Sequence, residues 1–323
     1  MTILIDTNPS KQRSFAAEEL IDHEISPGDF VGTTNGNGSR VWHFDGEKIA
    51  MIGVANPDHR SMAAIQSGQS LKDALKGVPM FASDDFVIHR MVLSPGAYYP
   101  RIARPNDQHP LEAPGACPES WQNPDVLVGS LNQVRSLVGM LDSIFQAVHP
   151  VDDNLACFGG AIRNLLILAC TECEAQWRGV LEANGCKPNR PSTADYVKLL
   201  PALKLDEYEV RLQHYPWLAG ITPYRDWKTG APTQSLLWYD DYNAAKHDRE
   251  GSFARASLKS AIDAVAAVWI MVAAQFGTMG IREFDDLSRY FHLERVPLWR
   301  YSDVYTYGYE GFVQNSGPKN FAF

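Results

Sequence analysis

Positive charge is scarce in this chain: 29 Lys and Arg stand against 38 Asp and Glu, for a formal net charge of −9 at pH 7. That balance argues against coating duplex DNA through bulk charge. It leaves room for a local basic groove, because net charge does not describe one face. Several catalytic signatures are also missing. No Gly-rich phosphate loop ends in Lys-Ser/Thr, no GxGxxG follows a strand, and there is no GxSxG elbow. The nine histidines are scattered, with no pair at i+3 or i+4, so a helical metal site of the HExxH kind is excluded and neither metal nor cofactor is expected. The N-terminal stretch lacks a basic region followed by an apolar run. The longest uninterrupted apolar run, Ala264 to Ala274, is short for a bilayer. The five cysteines, at 117, 157, 170, 173 and 186, are odd in number. Together these absences predict a cytoplasmic protein with reduced thiols and no membrane partner. There is no internal repeat, low-complexity block or long run of like charge.

What is present predicts a folded, mainly α protein. Hydrophobic residues are 45% and charged residues 21% of 323, enough to bury a large core and long enough for about two domains. Residues 1–124 read as a small α+β region. A short helix is expected over Phe15–Glu24, a turn at Asn35-Gly36-Asn37-Gly38, a hairpin around Asp45-Gly46 and a strand within Phe86–Leu93. Prolines between 95 and 124 predict a strap without regular helix. Residues 125–277 carry helical periodicity: Leu131 to Val148, then Phe158 to Val180 on a helix placed at 155–183. A capping box, Ser192 to Asp195, opens a shorter helix to about Leu200. Ser235 is expected to open a helix to His247, and Ser252 another over Phe253–Phe276, stopped by Gly277. Small residues at Ser257, Ser260, Ala261, Ala264 and Ala267 predict a close helix contact. Residues 278–323 form an aromatic-rich extension, either packed on the body or offered as a docking surface.

The chemistry concentrates on two of these helices. On 155–183, Glu172 and Gln176 fall within the apolar stripe, while Glu174 and Arg163 fall outside it. A core-facing carboxylate must be paired or hydrogen-bonded, so Glu172 is expected to meet Lys246, His247 or an arginine. Cys170 and Cys173 spell CxxC but lie well inside the helix, which predicts buried core thiols rather than redox chemistry. On the helix ending at His247, Tyr239, Asn243 and His247 are spaced i, i+4, i+8, with Tyr242 and Lys246 alongside. A histidine there can move a proton near neutral pH.

Paired long helices with Asn243-Ala244-Ala245-Lys246-His247 near the end of the penultimate one resemble the HEPN superfamily (higher eukaryotes and prokaryotes nucleotide-binding), over about 130–277. The resemblance implies a helical bundle that forms a homodimer and binds or cleaves RNA or a nucleotide in a cleft between its two protomers, without metal, in a bacterial defence or toxin–antitoxin setting. Catalytic members carry Arg one residue before the Asn; here that position is Tyr242. The resemblance makes His247 the proton-transfer group and Asn243 the orienting group, with Lys246 or Arg249 as the cation. Glu172, Gln176 and Tyr239 would line the site. A second reading stands beside it: a non-catalytic helical module whose polar cluster is structural, binding a protein through the N-terminal region or the aromatic tail.

Overall fold

A computed structural model describes residues 28–34, 38–52, 58–79, 86–106, 115–248, 250–281, 285–306 and 317–323. The helix expected over Phe15–Glu24 and the turn residues 35–37 lie outside these, as does Arg249. The chain divides into two units. The first comprises Met1–Ala97, Pro105–Glu112 and Leu298–Gly317; the second comprises Tyr98–Arg104, Ala113–Pro297 and Pro318–Phe323.

The first unit is built on an antiparallel sheet of β1 (Gly28–Thr34), β2 (Gly38–Phe44), β3 (Lys48–Met51), β4 (Met62–Ala64) and β5 (Phe86–Arg90), in the order β4-β3-β2-β1-β5. The hairpin at Asp45-Gly46 forms, with Trp42 opposite Met51 and Phe44 opposite Ile49. Gly46 supplies the positive φ of 109° that its turn requires. Asp45 Oδ1 accepts the Lys48 amide at 2.9 Å. Trp42, Phe44 and Ile49 pack against Leu75 of helix α1 (Leu71–Leu75). Val41, with the opposite parity on β2, packs with Met91 and Val304 instead.

The second unit is helical. The strap continues from a two-residue strand, β6 (Ala97–Tyr98), to a single turn, α2 (Glu119–Gln122), and α3 then runs over Pro124–Phe145. Pro124 starts α3 rather than preceding it. A proline is harmless in the first turn, where its missing N–H has no intrahelical acceptor. Strap residues read from the sequence with the first part cluster with this helical unit. The reason is backbone pairing: Arg104 and Ala116 form an antiparallel bridge, and the Ala103 amide donates to the Ala274 carbonyl at 2.9 Å. Residues beyond 278 are shared between both units.

Helix α4 spans Gly160–Ala183, five residues shorter at its start than the spacing predicted. Phe158, expected on its core stripe, is 52% exposed and meets Phe253 edge-on at 5.8 Å between centroids. Ser192 and Asp195 form the expected capping box at α5 (Thr193–Tyr196), followed by α6 (Leu199–Leu203). Helix α7 spans Leu237–His247. Ser235 does not cap it; its Oγ accepts the Lys228 amide at 2.9 Å. The helix expected from Phe253 also starts later. Phe253–Arg255 form only a single 3-10 turn, and α8 spans Leu258–Ile281. Its helical geometry breaks at Gly277 (φ 76°, ψ 165°), as the stop signal predicted. A short helix, α9 (Asp285–Tyr290), leads into β8 (Phe291–Arg295), which pairs with β7 (Glu209–Leu212).

From Ala264 to Ala274 helix α8 is apolar on every side because it is surrounded on every side. Over Leu258–Thr278 it is long and apolar enough to cross a membrane by length and composition, yet 89% of its apolar 18-residue window is buried among its neighbours. Ala261, Ala264 and Ala267 are fully buried, and the Ala264 carbonyl approaches Cys173 Sγ to 4.0 Å. The Tyr224 hydroxyl donates to the Ala267 carbonyl at 3.3 Å. Small side chains thus let α8 approach α4 closely. Ala264→Leu should overpack this seam and cost about 1–3 kcal/mol. Equilibrium denaturation of the variant should therefore show an earlier midpoint; an unchanged midpoint would mean that the seam is loose.

Candidate functional site

The residues singled out from the sequence do not converge on one point. They divide between two edges of α4. On one edge, α4 and α7 lie antiparallel: Glu174 Oε1 accepts the Tyr239 hydroxyl at 2.7 Å, while Arg163, near the start of α4, reaches the end of α7. The buried face of α7 presents Trp238, Tyr239, Tyr242 and Ala245. Trp238 and Tyr239 pack around the fully buried Trp177 of α4, with centroids at 6.1 and 5.5 Å. The Tyr239 phenol is pushed well above the usual tyrosine range, first by burial and then by its bond to Glu174.

Tyr242 is 1% exposed, with its ring against Tyr239 at 5.3 Å. Its hydroxyl accepts a hydrogen bond from Lys246 Nζ at 2.8 Å, and the same ammonium lies 4.9 Å from its ring centroid. The phenol therefore holds the ammonium by a hydrogen bond and a cation–π contact together. The bond to Tyr242 raises the Lys246 pKa, and burial raises that of the phenol.

Past this pair the helix ends. The Arg163 guanidinium donates to the Ala245 carbonyl from Nε and Nη2 at 3.2 and 3.1 Å, satisfying a last-turn acceptor that has no partner within the helix. Lys246 and His247 are exposed, and Asn243 is partly buried. Among the described residues, neither Asn243 nor His247 makes a side-chain hydrogen bond. The acids of α7 are engaged elsewhere. Arg255 pairs with Asp240 at 2.6 Å and with Asp241 at 2.9 Å, and Ser260 Oγ donates to Asp241 at 2.6 Å. Asp248 caps the following turn by accepting the Gly251 amide at 2.9 Å. This end of the bundle thus offers two cationic side chains, an amide and an imidazole on adjoining turns, with the two acids of α7 sharing Arg255 instead.

Glu172 and Gln176 belong to the other edge, and here the sequence expectation is corrected. Glu172 is partly buried, as its stripe position predicted, but it pairs with neither Lys246 nor His247. Its Oε1 accepts from Gln176 Nε2 at 2.9 Å. Gln176 Oε1 accepts from Gln275 Nε2 at 3.1 Å, and Gln275 Oε1 accepts from Arg101 Nε at 2.8 Å. Burial raises the Glu172 pKa, opposed by the Gln176 bond and the Arg101 charge. The separation is geometric: at about 100° per residue, Glu172 and Glu174 point to opposite sides of α4.

Four participants escaped the sequence reading: Glu174, Arg163, Arg101 and Gln275. Glu174 and Arg163 carried a signal, since both align at helical spacing with Cys170 and Trp177, which face α7. Arg101 carried none, because its place depends on how the strap crosses α4 and α8.

Cys170 and Cys173 are buried core thiols pushed well above the usual range by that burial, and all five cysteines are free. Among the described residues no group of three or more His, Cys, Asp or Glu is arranged to hold a metal ion. No family model, curated protein or solved structure matches the chain.

Proposed function

We propose that the helical unit is a HEPN-like module that binds RNA or a nucleotide through the C-terminal end of α7. The observation that carries this reading is the exposure of Lys246 and His247 beside Arg163, while Asp240 and Asp241 are held by Arg255 rather than by these cations. An ammonium and a guanidinium at one helix end suit a phosphate. His247 is the group able to hold or move a proton there. Where cleavage follows, the ribose 2′-hydroxyl attacks the adjacent phosphate, His247 serves as general acid or base, Lys246 offsets the phosphorane charge and Asn243 orients the phosphate.

Tyr242, at the family's arginine position, changes the balance between binding and cleavage. It contributes no cation of its own but fixes the Lys246 ammonium through its hydroxyl. A second reading is favoured by this same bond and by Tyr239–Glu174: the inner half of the cluster sets the register of α7 on α4 and takes no part in chemistry.

The experiment is incubation of purified protein with mixed RNAs in EDTA, comparing wild type with His247→Ala. Any cleavage should proceed in EDTA and fall about 10²–10⁴-fold in the variant, with the circular dichroism spectrum unchanged because His247 is exposed. Cleavage that requires Mg²⁺, or that is indifferent to His247→Ala, ends this mechanism.

A further inference from the structure

Residues 317–323 lie along the strap at the C-terminal end of α4, the end opposite Arg163, and their contacts are those of a docked peptide. The Lys319 amide donates to the Tyr98 carbonyl at 2.8 Å, and the Phe321 amide donates to Asn184 Oδ1 at 3.0 Å. Alternate amides that donate toward one side belong to an extended chain laid against an edge. The Phe321 ring meets Tyr99 edge-on at 5.1 Å, and Phe323 lies 5.0 Å from Phe321. Pro318, Lys319, Asn320 and Ala322 are exposed, so the two phenylalanines are the side chains that turn inward.

The receiving surface is held by bonds that do not involve this segment. Asn184 is 3% exposed, and its Nδ2 donates to the Pro100 carbonyl at 2.8 Å and to the Val180 carbonyl at 2.9 Å. These two bonds tie the strap to the last turn of α4 and fix the amide in one orientation, with Oδ1 turned toward residue 321. A buried oxygen fixed in this way requires a donor. The Tyr99 ring is held in turn by Arg104, whose Cζ lies 4.9 Å from its centroid. The groove therefore asks for a backbone N–H at Asn184 and an aromatic ring beside Tyr99. The segment's own hold is slight by comparison: two amide bonds and two partly buried rings on an otherwise exposed stretch. Attachments of this kind open locally, without global unfolding.

We propose that residues 317–323 plug, in cis, a docking site for an extended, phenylalanine-bearing peptide of a partner protein. The partner strand pairs a backbone N–H with the Tyr98 carbonyl, gives the amide of its phenylalanine to Asn184 Oδ1 and sets that ring against Tyr99. It binds when the segment releases, which makes the segment an autoinhibitory contact. The site stands independently of the α7 end and of what binds there.

Fluorescence anisotropy of a labelled peptide spanning residues 317–323, titrated with the full chain, tests it. Phe321→Ala weakens the tethered segment but leaves the receiving residues unchanged. That protein should bind the peptide at least about tenfold more tightly than the wild type, in which the tethered copy competes at high effective concentration. A peptide N-methylated at the amide of residue 321 cannot donate to Asn184 and should bind about tenfold more weakly. In the wild type, the Lys319 and Phe321 amides should exchange with deuterium at least about a hundredfold faster than the amides of α8. The proposal is overturned if the peptide binds neither protein at millimolar concentration, binds both equally or tolerates the N-methyl group. Exchange at residues 319 and 321 as slow as in α8, or a Phe321→Ala protein that no longer folds, overturns it equally, since either makes the segment part of the core rather than a plug.

Discussion

Gly277→Ala should destabilise the helical unit by about 3 kcal/mol or more, combining the positive-φ backbone penalty with a clash against main chain. The position has φ 76° and ψ 165°, a region essentially reserved for glycine. There is also no room for a side chain. A Cβ there would lie 2.0 Å from the Gly115 carbonyl oxygen and 2.6 Å from Ala116 Cα, and both are backbone atoms. A flexible side chain could swing away; the 115–116 segment is held by reciprocal hydrogen bonds between Arg104 and Ala116 at 3.1 Å. Gly139→Ala supplies the opposite sign. That glycine lies inside α3, where an added Cβ would have nothing within 4 Å, so alanine should stabilise by up to about 1 kcal/mol. Thermal melts of the two variants should therefore move in opposite directions, Gly277→Ala downward by roughly 6–12 °C for a unit of this size. A Gly277→Ala protein that melts with the parent would contradict the crossing of the strap over α8.

Trp177→Ala should cost about 3–5 kcal/mol, toward the upper end of that range. Its indole is fully buried and is ringed by Tyr196 and Trp227 at 5.2 Å, Tyr239 at 5.5 Å, Trp238 at 6.1 Å and Tyr224 at 6.4 Å. Aromatic pairs of this kind add about 0.5–1.5 kcal/mol each beyond area burial. Because Tyr239 and Trp238 belong to α7, loss of Trp177 should also loosen that helix on α4. Near-ultraviolet circular dichroism should therefore weaken under native conditions, alongside an earlier denaturation midpoint. An intact near-ultraviolet spectrum would mean that α7 is positioned by something other than this aromatic cluster.

The helical half of the fold was legible where one segment's own pattern decides the outcome. The apolar stripe of α4, the Ser192–Asp195 capping box and the break at Gly277 are local matters of periodicity, side-chain capping and backbone geometry. The start of α4 was less legible, because the aromatic Phe158 fits a helical stripe by spacing although the helix begins at Gly160 and leaves its ring half in solvent. The site was legible in composition but not in assembly. Tyr239, Tyr242, Asn243, Lys246 and His247 do share α7, yet Tyr242 and Tyr239 turn inward while His247 remains outside. Which α4 carboxylate meets α7 depends on the edge against which that helix packs. Glu172 fits the apolar stripe better, and Glu174 is the one that meets Tyr239. The participation of Arg101 and Gln275 follows from the strap's route, which no local pattern encodes.

A phosphate site at the end of α7 is tested most directly by the binding of fluorescently labelled single-stranded RNA in EDTA at two salt concentrations, with the wild type beside Lys246→Ala and Lys246→Ala/His247→Ala. Each phosphate contact contributes a salt slope of about −0.7 for single strands. The wild type should bind measurably, and the slope should be smaller by about that amount in Lys246→Ala. The double variant should lose further affinity with its fold intact. Binding equally strong and equally salt-dependent in all three proteins, or none by the wild type, would contradict a phosphate site there.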